Sequence, residues 1–355
     1  MTRVVHLTHS RDLRTGGVIE AVLRLDESLR AKGISSAISD DPQSLGGDAT
    51  HLIAHGLWQW PGLRAWKRFK NTGCPYIVFP HGMMDPWFKK TFPLKHLKKQ
   101  AYWLWRQGRI MRHAHAVCFT TEEERRLARE TFWPGRYREV VTGLGVGSPP
   151  GDGEKQKAEF KGAFPELSDR RILLYLGRMH PKKGLDMLLR SFLGEERKDE
   201  ALVLAGPVEK SDPFTRKLLR STEGREKEVV WTGMLEGDLK WGALRAADAL
   251  VLPSHQENYG MVVAEALSVG TPVLLTDKVN LWREVKQARV GLVAKDDQAG
   301  IDGLVWDWRA GRHHEVTKAE ACKRCFEENL HIASCADRVI ELLGESSQTR
   351  GGRGL

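Results

Sequence analysis

Six short runs in the second half of the chain leave little choice of fold: Arg171–Leu176, Ala201–Ala205, Glu228–Thr232, Ala249–Leu252, Pro272–Leu275 and Gly291–Ala294. Each is mostly apolar along its whole length rather than alternating, the pattern of strands covered on both faces of a parallel sheet. Parallel neighbours need crossover connections, and the intervening segments are long enough to be helices. The first half repeats the rhythm less cleanly. Strands are expected at Arg3–Thr8, His51–His55, Tyr76–Pro80, His115–Thr120 and Arg138–Thr142, with helical patterns at Val18–Ala31, Leu94–Arg112 and Thr121–Thr131. The expected fold class is therefore α/β, two facing doubly wound Rossmann-like domains with ligands in a cleft at the carboxyl ends of the strands.

A chain of 355 residues with 41% apolar content can fill two cores of ordinary size. The Gly- and Pro-rich stretch Gly143–Gly153 breaks the composition and reads as the hinge. It divides the chain into a first domain over 1–147 and a second over 148–325. A helix over 326–345 is expected to pack back toward the first domain, and 346–355 to form a disordered Gly/Arg tail. The start has no signal-peptide pattern, and no apolar run approaches the roughly 18 residues of a membrane helix. Five scattered cysteines, an odd number, fit a reducing compartment, so a cytoplasmic location is expected.

The net charge of +9 is concentrated. Residues 86–121 contain no Asp or Glu, but hold Lys89, Lys90, Lys95, Lys98, Lys99, Arg106, Arg109 and Arg112, interleaved with Trp87, Phe88, Phe92, Tyr102, Trp103 and Trp105. Such a segment suits the anionic inner face of a membrane or a lipid-linked substrate. It equally suits a solvated helix face with its aromatics turned inward and, least well, nucleic acid.

Two carboxylates eight positions apart flank a glycine turn in Glu257-Asn258-Tyr259-Gly260-Met261-Val262-Val263-Ala264-Glu265. Upstream lies the apolar strand ending at Leu252; downstream, Met261–Ser268 reads as a helix stopped by Gly270 and Pro272. The peptide N–H groups of Tyr259, Gly260 and Met261 would then face outward at a helix start, where the missing intrahelical acceptors and the macrodipole favour an anion. Donors beside two carboxylates fit a ligand carrying both phosphate and hydroxyls. After the first strand of this half comes Gly177-Arg178-Met-His-Pro-Lys182-Lys183-Gly184. Its arginine fork and compact lysine charge suit phosphate oxygens, although a basic turn in solvent has the same composition.

Together, Gly177-Arg178…Lys183-Gly184 and Glu257-x7-Glu265 resemble the retaining family-4 glycosyltransferases (glycosyl transferases group 1) of the GT-B fold. The resemblance implies that Glu265 contacts the ribose of a nucleotide-sugar donor, whether UDP-, GDP- or a similar conjugate. It places Glu257, with Asn258, Tyr259, Gly260 and Met261, against the transferred sugar and phosphate. Gly177, Arg178 and Lys183 would hold the diphosphate. In the first domain it sets Gly16 and Gly17 against donor phosphates or acceptor, and His81 opposite the sugar. It assigns nothing comparable to His55. Asp85, Trp58 and Trp87 are candidate acceptor contacts, with an Asx turn and core packing as the alternatives.

The loop Val279-Asn-Leu-Trp-Arg-Glu284 departs from the glycines that many relatives carry there. The chain also lacks the Asp-x-Asp of metal-dependent sugar transfer, so no metal and no cofactor is expected. The implied reaction moves a hexose to an acceptor hydroxyl, with retained anomeric configuration, in polysaccharide, lipopolysaccharide or other glycoconjugate synthesis. Rivals are a sugar-nucleotide epimerase of the same fold, a nucleic-acid-modifying transferase and an inactive binding module.

Overall fold

The computed structural model describes residues 2–12, 17–44, 46–195 and 197–351, with the side chains of 315, 316 and 347–351 left aside. Two compact units emerge, 1–147 with 330–355, and 148–329.

The first unit runs β1 (Arg3–Leu7), α1 (Gly17–Ala31), β2 (Ser35–Ser39), β3 (His51–His55), α2 (Trp60–Thr72), β4 (Tyr76–Phe79), α3 (Pro86–Thr91), α4 (Pro93–Tyr102), α5 (Gly108–His113), β5 (Ala116–Phe119), α6 (Glu122–Ala128) and β6 (Glu139–Val141). Its sheet has the order β2-β1-β3-β4-β5-β6, and every pairing is parallel. β3, β4 and β5 are buried along their whole length.

Strand β2 was not expected from the sequence. Its residues, Ser-Ser-Ala-Ile-Ser, are polar because it pairs only with β1 at the sheet edge. Helix α2 was also missed, although Pro61 near its start and the left-handed Gly73 at its end mark it. The single helix expected over Leu94–Arg112 is instead α4, a π-helical turn over Trp103–Gln107 and α5, with Pro93 at the head of α4 separating it from α3.

The second unit runs α7 (Gly153–Ala163), β7 (Arg171–Leu176), α8 (Leu185–Leu193), β8 (Glu200–Ala205), α9 (Pro213–Ser221), β9 (Val229–Gly233), α10 (Gly237–Ala246), β10 (Ala249–Leu252), α11 (Met261–Ser268), β11 (Val273–Thr276), α12 (Trp282–Ala288), β12 (Gly291–Ala294), α13 (Gln298–Arg309), α14 (Arg312–Val316) and α15 (Ala319–Cys325). All six expected strands are present, in the order β12-β11-β10-β7-β8-β9. Leu173, Leu174, Leu250 and Val251 in the two central strands are fully buried. Each such side chain contributes about 1.5–3 kcal/mol through removal from water.

The chain leaves β7 toward β8 on one side and later returns through β10 on the other, so the loops after β7 and β10 flank the topological switch point. The closing helix, α16 (Ile332–Gly351), belongs to the first unit. Its Ile332, Cys335, Ala336, Val339 and Leu342 share a core with Val4, Leu25, Leu29 and Ile53. It runs six residues into the expected tail, because Leu343 and Ser346 are still buried and no proline stops it.

Candidate active site

In the second unit, three loops converge at the carboxyl edge of the sheet. The amide of His255 donates to the Lys182 carbonyl at 2.7 Å, joining the loops after β10 and β7. The amide of Glu257 donates to the Lys278 carbonyl at 3.0 Å, and that of Asn280 returns a bond to the Glu257 carbonyl at 3.0 Å, joining the loops after β10 and β11. Gly184 makes the first contact possible. It is left-handed at φ 64°, and a Cβ there would lie 2.1 Å from the Pro253 carbonyl oxygen.

This convergence brings Lys183 onto Glu257. Their side chains form an ion pair, and both are only about a fifth exposed. Arg178 lies in the same β7 loop, whose backbone is tied down by the Tyr175 hydroxyl donating to the Arg178 carbonyl at 2.7 Å. The Arg178 side chain is exposed, and it makes no ion pair among the described residues. Gly177 hydrogen-bonds Ala205 through its amide at 2.9 Å, continuing the β7–β8 ladder. Gly260, left-handed at φ 73°, starts α11 with no side-chain cap, and Tyr259 beside it is buried. Asn258 accepts from Asn280 at 3.4 Å, and Met261 is half-buried at the head of the helix.

Glu265 is 3% exposed in its side chain and ion-pairs with Lys240 of α10 at 2.8 Å. Lys240 is a residue that motif reading missed. It sits in no recognisable pattern and reaches Glu265 only because α10 lies beside α11.

In the first unit, His81 and Gly82 follow β4, both in the left-handed region, at φ 51° and 73°. A non-glycine residue held there is uncommon and needs support from its surroundings. The buried carboxylate of Glu124 supplies it. One oxygen accepts from the Gly82 amide at 2.6 Å; the other accepts from the amide and hydroxyl of Thr120, each at 2.7 Å. Thr121-x-x-Glu124 is a capping-box pattern, but only the Thr121 half caps α6, accepting from the Glu124 amide at 2.9 Å, while the Glu124 carboxylate turns to the Gly82 loop.

His55 stands against His81, with its Nδ1 2.9 Å from the His81 Nε2. Asp85 caps α3 by accepting from the Trp87 amide at 2.7 Å, the turn-stabilising alternative. Trp58 packs against Phe132, Trp103 and Tyr102, with the Lys99 ammonium 5.0 Å from its ring centroid, so its ring is committed to packing rather than free as a sugar platform. Trp87 meets Phe88 and Phe92 edge-on. Gly17 is exposed at the start of α1, and Gly16 lies outside the described residues.

Against known proteins, residues 156–303 match the profile of "Glycosyl transferases group 1", and residues 37–145 match that of "Glycosyl transferase 4-like domain". The chain belongs to the group 1 glycosyltransferase family. This family member is 29% identical over 160 residues to an uncharacterized glycosyltransferase of Methanocaldococcus jannaschii, covering 43% of the chain and 40% of that protein. It is 30% identical over 243 residues to a D-inositol 3-phosphate glycosyltransferase of Rhodococcus opacus, covering 63% and 52%. The chain thus spans about half the length of these curated relatives.

Among solved structures, a sucrose-phosphate synthase of Thermosynechococcus elongatus superposes with a TM-score of 0.78 at 15% identity, covering 98% of this chain and all of that one. Anabaena HepE in complex with UDP gives 0.77 at 14% identity, covering 97% and 100%. These likenesses establish the GT-B class of two Rossmann-like units.

Proposed function

We propose that this glycosyltransferase family member moves a sugar from a nucleoside diphosphate donor to an acceptor hydroxyl with retention of anomeric configuration, in the synthesis of a polysaccharide or other glycoconjugate. The reading is carried by the pairing of Lys183 with Glu257 at the switch point, beside Arg178 and the start of α11. Negative charge grows on the diphosphate as the sugar bond breaks. Arg178, Lys183 and the N–H groups near Gly260 would hold that charge in the role a metal plays elsewhere. Glu257 then orients the sugar hydroxyls, and Glu265, fixed by Lys240, takes the ribose. No carboxylate is assigned as a covalent nucleophile. The leaving phosphate instead takes the proton of the acceptor hydroxyl as that oxygen attacks the same face of the sugar. HepE has been captured with UDP, and in another crystal with UDP-glucose, which favours a uridine donor here.

The test is a thermal-shift comparison of UDP, GDP, ADP and their sugar conjugates, followed by transfer assays with the nucleotide that binds. A ligand at a hundred times its Kd adds about 2.7 kcal/mol to the folded state, an easily read shift. Binding of none of them sinks the reading. Conversion of the donor sugar without any acceptor makes the protein an epimerase instead.

The membrane-facing part of the proposal rests on α3–α5. No residue of α4 is buried, and Leu94, Leu97, Leu104 and Trp105 are 76, 62, 55 and 59% exposed among the lysines of the segment. The alternative in which the aromatics turn inward fits Trp103, which is buried, and not Trp105. A pocket of about 270 Å³ beside Trp103 and Leu104 is lined by Arg109, Arg112 and Arg136, a fit for a phosphate headgroup. Among the described residues no helix is long and apolar enough to cross a membrane, so the contact proposed is peripheral. Flotation with phosphatidylglycerol vesicles should retain the protein and neutral vesicles should not. Leu94→Glu with Leu97→Glu should abolish retention. Equal binding to neutral vesicles, or salt-sensitive binding to duplex DNA in place of vesicles, overturns the assignment.

A further inference from the structure

His6 on β1, His55 at the end of β3 and His81 after β4 form one continuous chain across three neighbouring strands. The His6 Nδ1 lies 2.9 Å from the His55 Nε2, and the His55 Nδ1 lies 2.9 Å from the His81 Nε2. The rings are stacked at 5.2 Å between successive centroids, and Phe79 stacks on both His55 and His81. His6 is fully buried and His55 is 2% exposed. Loss of hydration pushes His6 and His81 down to about 4 and His55 well below the ordinary histidine value. All three imidazoles are therefore neutral near pH 7, with one N–H each.

That count leaves two arrangements. Each of the two N···N bonds needs one hydrogen, and His55 can supply only one of them. Either all three rings carry hydrogen on Nδ1, with every bond donated toward His81, or all three carry it on Nε2, with every bond donated toward His6. The ends decide between them. The His6 Nε2 is buried and has no hydrogen-bond partner. The nearest acidic influence, Asp26, is engaged by the Ser36 hydroxyl at 2.6 Å and by Arg30 at 2.9 Å. The second arrangement would strand a buried N–H donor at His6, a rarer defect than a bare lone pair and one costing about 1–3 kcal/mol. At the other end the His81 Nδ1 makes no hydrogen bond among the described residues. It is also absent from the buried atoms without a partner, so it reaches solvent.

We propose that His6 and His55 are positioning residues that hold His81 in the tautomer protonated on Nδ1, so that it presents an N–H donor to its ligand and not a lone pair. His81 then donates to an oxygen of the bound sugar or phosphate and is unable to act as the base that deprotonates the acceptor. Glu124, by fixing Gly82, keeps the ring aimed. The ligand half of this inference rests on the glycosyltransferase reading; the tautomer half does not.

Long-range ¹⁵N–¹H correlation on protein labelled with [¹⁵N]histidine reads the protonated nitrogen directly. Wild-type protein should show His81 protonated on Nδ1. His55→Leu should release it to a mixture or to Nε2 and lower kcat/KM for the sugar nucleotide about tenfold. His55→Asn, whose amide can still donate to the His81 Nε2, should restore both readouts. His6→Asn, whose amide turns either way, should give a mixture. A wild-type His81 protonated on Nε2, or a His55→Leu spectrum in which His81 is unchanged, overturns the proposal. The wild-type spectrum decides the tautomer even where a variant fails to fold. An Nδ1-protonated His81 in a protein that binds no sugar nucleotide would sink the transferase reading while leaving the positioning chain intact.

Discussion

Arg178→Ala is expected to lower turnover by about two to three orders of magnitude while leaving the melting temperature unchanged. The first half follows from the preorganised-donor argument: removing one group aimed at developing charge costs about 2.7–4 kcal/mol in the transition state. The second half follows from the structure, because the guanidinium is exposed and takes part in no ion pair among the described residues. Folding therefore loses nothing that the side chain supplied. Lys183→Ala makes an informative contrast. It also removes a cation from the diphosphate, but leaves Glu257 without its partner in a half-buried setting, so turnover and donor affinity should fall together. Steady-state kinetics with the donor varied, alongside thermal unfolding, separates the two patterns. Normal turnover by Arg178→Ala removes that residue from the mechanism.

The second unit was legible in the sequence because burial on both faces forces continuous apolar strands, and because the site residues sit in the loops those strands launch. Met261–Ser268 was readable as a helix down to its ends, since Gly260 and Gly270 punctuate it. The first unit was less legible. Its edge strand β2 is polar, and the basic segment hides three helices and a π-turn behind one amphipathic pattern. What sequence reading left out at the site has a common physical form: partners reached only through tertiary packing. Lys240 meets Glu265 from a neighbouring helix, 25 positions away along the chain, and His6 meets His55 across two strands, 49 positions away. Neither separation has a periodicity to betray it. The family resemblance assigns His55 nothing comparable to His81; its place in the chain of rings is visible only when β1, β3 and β4 are laid side by side.

Glu124→Ala is expected to destabilise the first unit by about 3 kcal/mol or more, the largest stability effect of any single substitution considered. The carboxylate is 3% exposed and accepts three hydrogen bonds, from the Gly82 amide and from the amide and hydroxyl of Thr120. Truncation leaves those donors without their acceptor in a site closed to water, and each stranded buried donor costs about 1–3 kcal/mol. For a unit of this size the melting temperature should drop by about 6 °C or more. Glu124→Gln is the sharper probe. Its size is unchanged and one oxygen still accepts, but the NH₂ now faces a donor. The loss should thus be of the same kind, though smaller. The functional consequence follows from His81, which holds an unfavourable left-handed φ next to the anchored Gly82. Relaxing that anchor lets the backbone return toward the right-handed region and re-aims the imidazole, which under the proposed function meets the ligand. In Glu124→Gln, measured at a temperature where the protein remains folded, kcat should fall more than the loss of folded fraction explains. Circular dichroism melts run beside donor-saturated turnover give both numbers. A Glu124→Gln enzyme with wild-type turnover per folded molecule would show that the Gly82 anchor serves stability alone.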